Sequence, residues 1–94
     1  MEFEWDEHKN NININKHGID FRAAAKVFND PHFLVNEDNR HNYDEQRYQI
    51  IGAVEPHGVL FVVYTERREN TIRIISARQA NKKERRLYQK YLSV

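Results

Sequence analysis

The segment Val59-Leu60-Phe61-Val62-Val63-Tyr64-Thr65 is an almost continuous apolar run. Such a run fits a central strand covered on both faces, because a half-exposed strand alternates polar and apolar residues instead. Its neighbours are strands too. Gln46 to Val54 places Tyr48, Ile50 and Val54 on one face by period-two counting, and Thr71 to Arg78 carries Ile72, Ile74 and Ile75. A turn, Glu55-Pro56-His57-Gly58, and a short link, Glu66 to Asn70, join these strands, so they form an antiparallel meander. His32 to Asn36 supplies a further short strand, separated from the next by a polar loop from Glu37 to Asp44.

Helices precede and follow the meander. Glu2 to Trp5 alternates as a short first strand, and Asp6 then caps a helix that stops at His17-Gly18, where glycine suits a left-handed terminus. Asn10, Asn11, Asn13 and Asn15 give that helix poor intrinsic propensity. Asp20 caps a second helix with the apolar stripe Phe21, Ala24, Ala25 and Phe28, which Asn29-Asp30-Pro31 ends. Asn81 and Glu84 have capping-box spacing for a final helix, whose apolar stripe is Leu87, Tyr88, Tyr91 and Leu92. The order β-α-α-β-β-β-β-α predicts one α+β domain over residues 1–94.

Charge is strongly segregated. Nine Lys and Arg residues lie between Glu66 and Lys90 against three acids, a net charge of +6, whereas residues 1–65 carry −5. Cations held on a folded strand and helix meet a polyanion in fixed geometry, which makes nucleic acid the first partner to consider. The chain has no cysteine, which excludes disulfides and thiolate metal sites, and no apolar run of membrane-spanning length. The acidic N-terminus lacks the pattern of a signal peptide, so a cytoplasmic location is expected. Histidines at 8, 17, 32, 41 and 57 form no i, i+4 pair; His41 and Asp44 share a loop without further obvious ligands, and no metal or other cofactor is expected. P-loop, dinucleotide and nucleophile motifs are absent.

Two ordered blocks of residues resemble the BrnT family. The first holds Trp5-Asp6 with Lys9, Lys16-His17-Gly18-Ile19-Asp20-Phe21, and Val27-Phe28 with Asp30. The second holds Glu45 and Arg47 with Gly52, Val63-Tyr64-Thr65-Glu66-Arg67, and Ile72-Arg73-Ile74-Ile75-Ser76-Ala77-Arg78 with Glu84 and Tyr88. The resemblance implies a ribonuclease toxin of a type II toxin–antitoxin pair that inhibits translation, with a RelE-like fold similar to the RelE and ParE toxins. It also implies a BrnA-like DNA-binding antitoxin, and through it operator DNA as an indirect partner.

A metal-free ribonuclease must deprotonate or orient a ribose 2′-hydroxyl, neutralise the phosphorane and protonate the leaving 5′-oxygen. Arginine suits the middle task, because its planar fork binds two phosphate oxygens and stays charged. Arg67 and Arg78 are the first candidates, each at a strand end inside the family-like blocks, and Arg47 and Arg73 come next. His17 and Glu45 are candidates for proton transfer, with helix termination and an Arg47 salt bridge as their structural alternatives. Tyr64, Lys82 and Arg85 are candidate RNA contacts, although Tyr64 also fits ordinary sheet packing. Strand parity puts Arg73 and Arg78 on opposite faces, so one is structural unless a bulge near Ser76 turns the chain. A non-catalytic basic module that binds an antitoxin or operator complex, and a ParE-like topoisomerase inhibitor, are the competing functions. Either toxin reading expects an acidic antitoxin element over the same arginines, with binding that weakens in salt.

Overall fold

The structure, a computed structural model, describes residues 1–40 and 44–92. In chain order its elements are β1 (Glu2–Glu4), α1 (Glu7–His17), α2 (Phe21–Ala24), β2 (Leu34–Glu37), β3 (Arg47–Val54), β4 (Gly58–Glu66), β5 (Thr71–Gln79) and α3 (Lys82–Leu92), with a 3-10 turn over Ala25–Asn29 after α2. The five strands form one mixed sheet in the order β1-β5-β4-β3-β2. β2 to β5 are the expected antiparallel meander, and β1 joins β5 in parallel at the far edge. Among the described residues no helix is long and apolar enough to cross a membrane.

The apolar run lies in β4, the middle strand, and both its faces are covered. Leu60, Val62 and Tyr64 join Ile50, Val54, Ile72, Ile74 and Ala77 against Ile19, Phe21, Ala24 and Val27 from the α1–α2 side. Phe61 and Val63 face the other way, with Ile51, and pack under Tyr88 of α3. The 3-10 turn packs closely on β3 at Gly52: a Cβ there would lie 2.6 Å from a Val27 methyl.

The caps follow local chemistry. Asp6 accepts from the backbone N–H groups of His8 and Lys9, and Gly18 closes α1 in the left-handed region at φ 73. Asn81 and Glu84 exchange the two hydrogen bonds of a capping box, at 2.8 and 2.9 Å. The second helix departs from expectation. It is α-helical only to Ala24 and then tightens into the 3-10 turn, whose end is fixed by Asp30, where the carboxylate accepts from His32 N–H and Ala53 N–H.

The asparagines of α1 offset their poor propensity by tertiary bonds. Asn10 Oδ1 accepts from Phe21 N–H, and its amide donates to Asp20. Asn13 bonds to both backbone groups of Ala77, where β5 has run past its pairing with β1. A side-chain amide there replaces a missing strand partner.

Candidate functional site

The parity conflict along β5 is resolved by a bulge. Val63 pairs with Ser76 but Tyr64 pairs with Ile74, so Ile75 is the extra residue. Beyond it the strand reverses its facing, and Arg73 and Arg78 both project from the α3 side of the sheet, beside Thr65 and Phe61 respectively. Those two rows are still four residue steps apart on β4, a distance of about 13 Å along the strand.

One row crosses four strands and carries charge from three of them. Glu4 of β1 lies opposite Arg73 of β5, Arg73 opposite Thr65 of β4, and Thr65 opposite Arg47 of β3. Just past β4, Arg67 reaches over this row to Glu4 at 3.6 Å and Glu45 at 3.4 Å. Glu4 also receives Arg73 at 3.1 Å and Arg68 at 3.0 Å, and Glu45 lies 3.8 Å from Arg47. Four guanidinium groups therefore converge around two carboxylates. The hydrogen bond from Arg73, together with the charge and hydrogen bond of Arg68, holds the Glu4 carboxyl below the usual carboxylate range. The backbone under the cluster is pinned: Thr65 Oγ1 donates to the Gln46 carbonyl at 2.6 Å, and Arg67 N–H donates to the Thr71 carbonyl.

The other candidates lie elsewhere. Arg67 and Arg78 do not meet: Arg67 reaches over the Thr65 row, whereas Arg78 belongs to the Phe61 row about 13 Å away along the strand, so the two first candidates for the phosphate are corrected to separate places. Glu84 engages Arg78 through two bonds, at 2.8 and 2.9 Å, and the guanidinium lies 4.2 Å from the Phe61 ring centroid. Tyr64 is a core residue rather than a surface contact. It is 6% exposed, stacked on Tyr48 and edge-on to Phe28, and burial pushes its hydroxyl up to about 12. His17 ends α1 on a separate hollow of about 210 Å³ lined by Lys9, Lys16, Ile75 and Ser76, without an arginine. Lys82 and Arg85 are carried by α3, where Arg85 donates to the Ala80 carbonyl. His41 lies outside the described residues.

Sequence reasoning passed over two residues of the cluster. Glu4 read only as a polar position in a three-residue strand, and Arg68 as part of a linker. The alternation of Glu2 to Trp5 did place Glu4 on the face opposite Phe3, but nothing local identified Arg73 as its partner.

A second network lies on the same sheet face toward α3. Asp38 is buried and accepts from Arg40 Nε at 2.8 Å, which holds its carboxyl down at about 2. The Arg40 guanidinium lies 5.9 Å from the Phe61 centroid. Beside this network a groove of about 610 Å³ runs between α3 and the sheet, with Asn36, Gln49, Ile51 and Phe61 on its floor. On α3 only Tyr88 of the expected apolar stripe is buried; Leu87, Tyr91 and Leu92 remain exposed.

A small α+β domain with a mixed sheet, helices on both faces and arginines converging at one sheet end is the class these features define. The model of the ribonuclease toxin BrnT of type II toxin–antitoxin systems matches residues 5–84, and the chain belongs to that family. It is similar to the crystal structure of the Brucella abortus ribonuclease toxin BrnT, at 25% identity and a TM-score of 0.66 over 87% of this chain and 99% of that one. No curated protein matches the chain. Membership in a type II toxin–antitoxin family implies an antitoxin partner.

Proposed function

We propose that the cluster at the sheet end is the active site of an endoribonuclease that cleaves RNA by attack of a ribose 2′-hydroxyl and so inhibits translation. The observation that carries this reading is the convergence of Arg47, Arg67 and Arg73 with Glu4 and Glu45 on one pinned end of the sheet. A phosphodiester entering there exchanges the carboxylate partners of the arginines for its own two non-bridging oxygens, which a guanidinium fork takes bidentately. Arg67 and Arg73 then neutralise the charge that builds on the phosphorane, and Arg47 steadies the adjacent phosphate. A carboxylate released from its ion pairs takes the 2′ proton as the 2′-oxygen bonds to phosphorus and the P–O5′ bond breaks, which leaves a 2′,3′-cyclic phosphate and a 5′-hydroxyl protonated from solvent. Glu45 suits this role, since it stands on the loop entering β3 with over a third of its side chain exposed. Guanidinium groups supply the positive charge, so the reaction is proposed to run without a metal ion.

The proposed partner is a BrnA-like DNA-binding antitoxin, with operator DNA bound through it. A non-catalytic basic module is favoured by one observation: every arginine of the cluster is ion-paired in the free protein. Incubating the purified protein with RNA in EDTA separates the two. Cleavage products that vanish with Arg67→Ala and Glu45→Gln support the enzyme; intact RNA supports the module. Inhibition of DNA gyrase without RNA loss would point to topoisomerase as the target instead.

A further inference from the structure

We propose that the groove between α3 and the sheet is a docking site for an acidic, amphipathic segment of the antitoxin. The inference rests on the toxin–antitoxin reading for the existence of the partner, but not on the ribonuclease mechanism.

Its apolar part is a helix face left uncovered. Leu87 lines the groove opposite Ile51 and Phe61 and is 36% exposed, although it belongs to the stripe that a fully packed helix would bury. Its charged part is a column of cations on the same wall. Lys83, Arg86 and Lys90 stand at i, i+3 and i+7, so they follow one another along about 10 Å of helix. None of the three makes an ion pair among the described residues. This is the reverse of the sheet-end cluster, where acids already satisfy the arginines. A cationic rim without ion pairs, beside the apolar surface of Ile51, Phe61 and Leu87, is complementary to a segment with acids on one side and apolar anchors on the other.

RNA fits the groove less well. Single-stranded nucleic acid is held by stacking bases on open aromatic faces. Phe61 is the groove's aromatic residue, and guanidinium groups lie over its ring, Arg78 at 4.2 Å and Arg40 at 5.9 Å. Tyr91 is exposed but does not line the groove. The remaining floor is aliphatic or amide.

The test is titration of the purified partner antitoxin against wild type and two variants. One combines Lys83→Glu, Arg86→Glu and Lys90→Glu; the other replaces the same three residues by Gln, in case reversal disturbs α3. Circular dichroism checks the fold, and RNA cleavage by the free protein is measured in parallel. The expected result is antitoxin affinity at least 100-fold weaker for the reversed variant and about 10-fold weaker for the neutral one, with cleavage unchanged. Wild-type affinity should fall with added salt, and fall less steeply in the neutral variant. Unchanged affinity in both folded variants overturns the proposal. If affinity holds while cleavage falls, the groove is an RNA surface and the proposal is overturned as well. Wild-type protein that binds antitoxin through these residues yet cuts no RNA would support the docking site and sink the ribonuclease reading.

Discussion

Asp38 shows how one side chain ties the sheet's charged face to folding. Its carboxylate is buried against Arg40 and titrates at about 2 rather than 3.8, so the folded state prefers the ionised form. The stabilisation is complete above the unfolded value near 3.8 and is lost as pH falls through about 2. Asp38→Asn should therefore cost about 2 kcal/mol near neutral pH and flatten the acid limb of the stability curve, which denaturant titrations at pH 7 and pH 2.5 will check. Unequal limbs with an unchanged acid slope would deny Asp38 this role. Gly52 acts by having no side chain. Gly52→Ala forces Val27 and the 3-10 turn away from β3, and a loss of about 1–3 kcal/mol is expected in thermal or chemical unfolding. The sequence alone marked Gly52 as a strand glycine but not as a close approach, because its neighbour comes from a different element.

Elements differ in how far their own residues specify them. Both ends of α1 and the start of α3 were legible because a cap is a local bond: Asp6, Gly18 and the Asn81–Glu84 pair act within four residues. β4 was legible from its composition. The bulge was legible only as an alternative, since parity reveals a conflict at Arg73 and Arg78 but does not say which residue yields; the register assigns it to Ile75. The buried roles of Asn10 and Asn13 were not legible, since polar residues in a weak helix read as surface until the β5 edge is in place. Replacing Asn13 by Ala should cost about 3 kcal/mol, because the N–H and C=O of Ala77 lose their partner together. Arg78 belongs to this scale too, holding the start of α3 through Glu84. Arg78→Ala is expected to lower the melting temperature while leaving RNA cleavage intact wherever the variant is folded. A folded Arg78→Ala protein without activity would return Arg78 to the site.

Across the whole molecule, the charge segregation seen in the sequence divides into two surfaces with different states. The sheet-end arginines are paired with Glu4 and Glu45, whereas the α3 cations lining the groove carry no acid among the described residues. The strand order explains why the site was only partly foreseen. Arg47, Arg67, Arg73 and Glu45 were all candidates, but their convergence with Glu4 requires β1 to pair in parallel with a strand nearly seventy residues later. Such a contact leaves no local trace. The same order separates Arg67 from Arg78, which adjacent motifs in the sequence had joined. The decisive measurement is single-turnover cleavage of a defined RNA in EDTA by wild type, Arg67→Ala and Arg73→Ala, each verified as folded. A drop of about 100- to 1,000-fold for each arginine variant is expected, as for removal of one charge-stabilising donor from a catalytic site. Cleavage at the wild-type rate by both would show that the scissile phosphate is held somewhere else.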